Sequence, residues 1–199
     1  MKNINALDLD GVLQHDLSEK DLMLILNLVA QTSWWVNPNI YRAIPIVYPK
    51  TRRKKGKEKR GQIVNGIRLW NNEPVKDAFW LALGKNPKEV TNFYVCHIYE
   101  NSVGDPLHFT NLANITAFPK SLQSLSEWKP VADVLKYHSY KIYGYKGPNG
   151  EIPSTPKYYP ELWQHLSFPS QADMKKIIEK LKDQSIRRPT CNSKDENLV

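Results

Sequence analysis

Apolar positions recur at helical spacing in four stretches of this chain and gather into strand-like runs in three others. Leu22, Ile25, Leu26 and Val29 follow Ser18-Glu19-Lys20-Asp21, an N-cap with acids in the first turn, and predict a helix over residues 19–31. Trp34 and Trp35 end it before an Asn-Pro turn. Residues 41–48 are apolar and β-leaning, and residues 62–70 read as a second strand. Together they predict a short antiparallel hairpin with the polar segment between them at its tip. Ala78, Phe79, Leu81 and Ala82 lie between Pro74, which suits a first helical turn, and Gly84, which suits a stop. Residues 90–99 predict a strand. Pro119 opens a short helix through residue 125. Pro130 opens a longer one, with Val131, Val134, Leu135 and His138 along one side.

Beyond Gly144 the texture changes. Gly147-Pro-Asn-Gly150 is a turn, and Pro153, Pro156 and Pro160 suit an extended linker. Met174, Ile177, Ile178 and Leu181 predict an amphipathic helix over residues 173–182. The last dozen residues are polar and expected to be disordered. No internal repeat stands out. The pattern predicts an α+β fold in three parts: residues 1–90 as a helical and hairpin docking region, 91–146 as a compact core, and 147–199 as linker, helix and tail.

With 199 residues, 41% of them hydrophobic and 6 Trp and 10 Tyr among them, the chain can bury a substantial core, which excludes disorder as its default state. No apolar run approaches the roughly 20 residues of a membrane span. Residues 1–5 lack the apolar region of a secretory signal. Cys96 and Cys191 are too far apart in sequence to suggest a disulfide framework or a four-cysteine zinc site, so a reducing cytoplasm is the expected compartment.

Charge is distributed unevenly. Residues 50–60 hold eight basic side chains and one acid, and so carry +7 of the net +8. Arg52, Arg53, Lys54, Lys55, Lys57, Lys59 and Arg60 are therefore candidate contacts to a polyanion, DNA or RNA. A solvated loop without a ligand is the alternative reading of the same residues.

One His at the end of the apolar run Phe93-Tyr-Val-Cys-His-Ile-Tyr99 is followed by an amide-rich loop and a second apolar run. A neutral imidazole suits the removal of a proton from water near neutral pH. A divalent cation suits the stabilisation of a phosphorane and its leaving oxygen. Residues 92–126 resemble the HNH (His-Asn-His, ββα-metal) endonuclease family. Cys96-His97-Ile98 is similar to that family's Asp-His-Ile or His-His-Ile step, and Asn114-Ile-Thr-Ala-Phe-Pro-Lys-Ser-Leu-Gln123 to its Asn, apolar run and helix-borne amide.

The resemblance implies a ββα-metal core with His97 as general base, Asn114 fixing the loop and orienting His97, and Cys96 and Gln123 at the metal positions. It implies a divalent ion, Mg²⁺ first and Mn²⁺, Ni²⁺ or Zn²⁺ as alternatives. Cys96 departs from the family's carboxylate or imidazole, and thiolate prefers softer metals. Asp105 or His108 could supply the missing ligand. Asn111 competes with Asn114 for the central role. The implied function is a metal-dependent DNA endonuclease of restriction or phage-defence type, expected to dimerise if it cuts both strands. The alternative is a non-catalytic nucleic-acid-binding protein that uses the basic stripe.

Leu7-Asp-Leu-Asp-Gly-Val-Leu13 matches the opening of haloacid-dehalogenase-like phosphatases. The residues before it are too few and too polar for the buried strand such a site needs. Asp8 and Asp10 therefore read as turn residues.

Overall fold

A computed structural model describes residues 17–164 and 169–186. The Asp8/Asp10 motif, Cys191 and the polar tail lie outside them. The fold is α+β, built on a two-stranded antiparallel ribbon between two hydrophobic layers. Strands β4 (Phe93–His97) and β5 (Ile115–Pro119) pair from Phe93↔Pro119 to His97↔Ile115. Alternate residues face opposite ways. Val95, Ile115 and Ala117 enter one core with Val75, Phe79, Trp80 and Phe109, whereas Cys96, Ile98 and Phe118 enter the other with Leu26, Trp35, Val131 and Leu135.

The flanking helices follow local signals. Helix α1 (Glu19–Thr32) starts with a capping box between Ser18 and Asp21. Helix α2 (Pro38–Ala43) occupies part of the expected 41–48 strand. Asn37 caps it by accepting from the Asn39 N–H at 2.8 Å, and Pro38 presets its first turn. Helix α3 (Glu73–Ala82) buries Val75, Ala78, Phe79 and Trp80. Helix α5 (Lys129–Tyr143) ends where Gly144 takes a left-handed φ of 70°. Helix α6 (Gln171–Ile186) packs on α3 and α2 and buries Leu181.

The three sequence segments share these cores. Trp163, from the expected linker, packs with Leu26 and Val131, and Leu181 packs with Val75.

The basic stripe is not the tip of a hairpin. Its residues form strand β1 (Thr51–Arg53), which pairs in parallel with β3 (Ile67–Trp70) at Arg52↔Leu69. The expected 62–70 strand is two strands, β2 (Ile63–Val64) and β3, folded back antiparallel at Asn65-Gly66. Both turn residues have positive φ, 50° and 77°, the geometry that Asn-Gly adopts most cheaply in a two-residue hairpin. This Asn-Gly signal was in the sequence, but the flanking run looked continuous.

Residues 45–53 run alongside residues 103–112. The Leu112 N–H donates to the Pro45 carbonyl (2.8 Å), the Tyr48 N–H to the Thr110 hydroxyl (2.9 Å) and the Arg53 N–H to the Val103 carbonyl (3.0 Å). These bonds place the stripe against the loop that joins β4 to β5. That loop contains the short helix α4 (Pro106–Phe109).

Candidate functional site

His97 is the last residue of β4, and its ring is almost wholly buried, with 2% side-chain exposure. It stacks on Phe109 with ring centroids 5.7 Å apart and 19° between planes. Its Nε2 lies 2.9 Å from the Phe109 carbonyl. A carbonyl can only accept, so Nε2 carries a proton. Burial holds the imidazole below its ordinary pKa, outweighing the Phe109 carbonyl and the Glu100 carboxylate, which favour the cation. In the neutral ring the lone pair is therefore on Nδ1. That atom stands 4.0 Å from a Glu100 carboxylate oxygen.

The loop holding Phe109 in place is locked by Asn114, which is fully buried. Its side-chain carbonyl accepts from the Tyr99 N–H at 2.9 Å. Its amide donates to the Ser102 hydroxyl at 3.0 Å and to the His108 carbonyl at 3.1 Å. Three loop positions are tied to one side chain, and the His108 carbonyl adjoins the residue that holds His97. Asn114 thus touches the loop rather than the ring. Asn111 does local work by capping the turn at Leu112–Asn114, where it accepts from the Ala113 N–H at 3.0 Å. The Ser139 hydroxyl of α5 donates to the Ala113 carbonyl at 2.5 Å, fixing the same turn from below.

A cleft of about 970 Å³ opens beside this ring. Tyr94, Cys96, His97, Tyr99, Glu100 and Glu127 line it, with Lys129, Asp133 and Lys136 from α5 and most of the segment 146–156.

The two predicted metal ligands do not meet there. Gln123 is exposed on the 3₁₀ segment Lys120–Glu127 and does not line the cleft. Cys96 is only 7% exposed, in the core with Phe118 and Trp35. Burial, with Glu100 and Glu127 adding, pushes its thiol far up, so it stays protonated and is unsuited to bind a cation as thiolate. His108 shares a hydrogen bond of 2.7 Å with the Tyr145 hydroxyl, and Asp105 caps α4 through the Leu107 N–H at 2.8 Å; neither lines the cleft. Among the described residues, no group of three or more His, Cys, Asp or Glu side chains is arranged to hold a metal ion. The ligand set implied by the resemblance therefore does not fit.

The stripe is also more internally engaged than its charge suggests. Glu58 accepts two hydrogen bonds from Arg52, at 2.8 and 2.6 Å, and one from the Lys55 N–H at 2.6 Å. Arg52 and these partners lower the Glu58 pKa to about 2. Arg53 pairs with Glu100, and Arg60 pairs with Glu73 at 2.8 Å while lying 4.8 Å over the Trp70 ring. Lys54, Lys55, Lys57 and Lys59 remain exposed. Every arginine of the stripe is thus committed within the fold.

Glu100 and Glu127 were missed in the sequence. Glu100 could have been suspected from its place three residues after the strand-end His97. Nothing local marked Glu127, which α5 and the preceding 3₁₀ segment carry to the cleft.

Comparison with family models, curated proteins and solved structures finds no match to this chain. No helix among the described residues is long and apolar enough to cross a membrane.

Proposed function

We propose that the chain is a DNA endonuclease of HNH type, a phosphodiester hydrolase in which His97 is the general base. The observation that carries this reading is the tethering of Nε2–H to the Phe109 carbonyl. It leaves the Nδ1 lone pair facing Glu100, a residue of the cleft wall, at 4.0 Å, in a loop clamped by Asn114. The Nε2–H bond alone would satisfy a packing histidine; what such a residue would not need is a carboxylate 4.0 Å from its other nitrogen. In the proposed reaction His97 Nδ1 takes a proton from water as the water oxygen attacks phosphorus. The leaving oxygen departs with its electron pair and takes a proton from solvent, and the imidazolium returns its own proton to solvent. The exposed lysines of the stripe supply long-range attraction for the backbone. The dependence on a divalent ion comes from the resemblance alone, and no step here is assigned to one. Restriction or phage defence is the setting that suits a small nuclease of this type, and a homodimer would serve double-strand cuts.

The test is incubation of plasmid and phage DNA with the protein across Mg²⁺, Mn²⁺, Ni²⁺ and Zn²⁺. Cleavage by the parent should be lost in His97→Ala by about 10² to 10⁴ in rate. His97→Gln, which keeps an amide donor for the Phe109 carbonyl, should be equally inactive and guards against a folding artefact. A loss under about tenfold in both removes His97 from the chemistry. DNA that stays intact with every ion while still binding the protein favours the non-catalytic binder.

A further inference from the structure

We propose that Glu100 is the second acceptor for the attacking water, and that Arg53 positions it. This rests on the reading of His97 as the base, and assigns a role to two residues outside the motif that suggested that reading.

The geometry is specific. Nδ1 of His97 and Oε2 of Glu100 are 4.0 Å apart. Neither can donate to the other when the ring is neutral and the carboxylate is ionised. Two acceptors so placed suit the two protons of one water. With hydrogen bonds of about 2.8 Å to each, the angle at the water oxygen is roughly 90°, close to that between its own O–H bonds. Such a water has its lone pairs directed away from both acceptors. The groups around the ring are few: Phe109 behind it, Cys96 before it in the strand, and Glu100 and Arg53 beside it. Glu127 faces the same cleft from the end of the 3₁₀ segment. Glu100 has 55% of its side chain exposed and the ring 2%, so solvent approaches the pair from the carboxylate side.

A half-exposed carboxylate needs a reason to stay at one angle. Arg53 supplies it. The guanidinium bonds the other carboxylate oxygen, Oε1, leaving Oε2 turned to His97. Arg53 is itself fixed, because β1 pairs with β3 at Arg53↔Trp70 and its N–H donates to the Val103 carbonyl. The stripe thus meets the loop through this ion pair as well as through the Arg53 N–H.

In the step, one O–H bond of the water breaks toward Nδ1 while the oxygen bonds to phosphorus. The other hydrogen stays on the oxygen, bonded to Glu100, and Glu100 itself gains no proton. The P–O bond to the leaving group breaks with its electron pair, as above.

The experiment measures kcat and KM on supercoiled plasmid, with the ion that best supports the parent, for Glu100→Gln, Glu100→Asp, Arg53→Gln and Arg53→Lys. Glu100→Gln should lower kcat tenfold or more at unchanged KM and DNA affinity, because it acts on water rather than on substrate. Glu100→Asp keeps the charge and should recover part of that loss. Arg53→Lys should stay within threefold of the parent, and Arg53→Gln should follow Glu100→Gln. An unimpaired Glu100→Gln variant of an active parent overturns the assignment of Glu100 and leaves His97 standing. If Arg53→Gln instead weakens DNA binding and reduces its salt slope by about 0.9, Arg53 is a phosphate contact and its positioning role falls. A parent inactive with every ion defeats the reading of the site, and this inference with it.

Discussion

Two polar segments of this protein look comparable in sequence and behave oppositely in the fold. Residues 50–60 are polar because they are charged, and most of their side chains stay at the surface. Residues 98–114 carry fewer charges, yet Ser102, Thr110, Asn111 and Asn114 are buried. A charge at the surface costs little and specifies little, and it finds whatever acid is near. Arg52 and Arg60 do so with Glu58 and Glu73. A buried amide is costly unless every group is satisfied, so where one is found its partners define a shape. Asn114 has three such partners. The charge-rich segment draws the eye, and the charge-poor one holds the architecture of the site.

The comparison can be broken most sharply at Asn114. Replacing it with Ala strands the half-buried Tyr99 N–H and His108 carbonyl, at up to about 1–3 kcal/mol for each unsatisfied group. We expect Asn114→Ala to lower unfolding free energy in urea by about 3 kcal/mol and to abolish cleavage. Asn111→Ala, which disturbs only a local cap, should cost about 1 kcal/mol. Equal effects of the two would remove the distinction drawn between them.

Acid should act on the buried ring before it acts on the stripe. His97 is held neutral in the fold, below the ordinary histidine value of about 6.5. As pH falls through that value the unfolded chain takes up a proton that the native ring refuses, so stability falls with falling pH. The parent should therefore lose stability below about pH 6.5 more steeply than His97→Gln, measured by urea midpoints. The acidic limb of kcat/KM should likewise lie below about pH 6.5, and a limb above pH 7 contradicts the assignment.

The stripe should respond to salt rather than to pH. Changing Lys54, Lys55, Lys57 and Lys59 to Ala should flatten the dependence of log K on log salt by up to about 0.9 for each phosphate that a lysine no longer neutralises. Arg52→Ala should leave that slope unchanged and lower Tm instead, because its guanidinium already has a partner in Glu58. The smallest effect is expected at Cys96. Cys96→Ala should leave the preference among metal ions unaltered, and a changed preference would restore the thiol as a ligand.

Much of the fold could be read from local chemistry. Ser18 and Asp21 announced α1, Pro130 and Gly144 bracketed α5, and the apolar face of Met174, Ile177 and Leu181 marked α6, because caps and amphipathic faces act over a few residues. Residues 41–48 misled because apolar β-leaning composition competed with the Asn37-Pro38 start signal, and the start signal prevailed. The resemblance put Asn114 at the loop-fixing position, although its partners were not legible. The same resemblance placed Gln123 at a metal position, yet its segment turned that side chain to solvent.

By itself, then, the sequence determined helices α1, α3, α5 and α6 and strand β4, since each depends on neighbours close along the chain. Tertiary structure alone decided that Arg53 meets Glu100 across 47 residues, that Glu58 claims Arg52, and that Cys96 is buried in the core with Phe118 and Trp35. Those outcomes turn on which distant surfaces are pressed together and which polar groups lose water in the process. No local spacing encodes that.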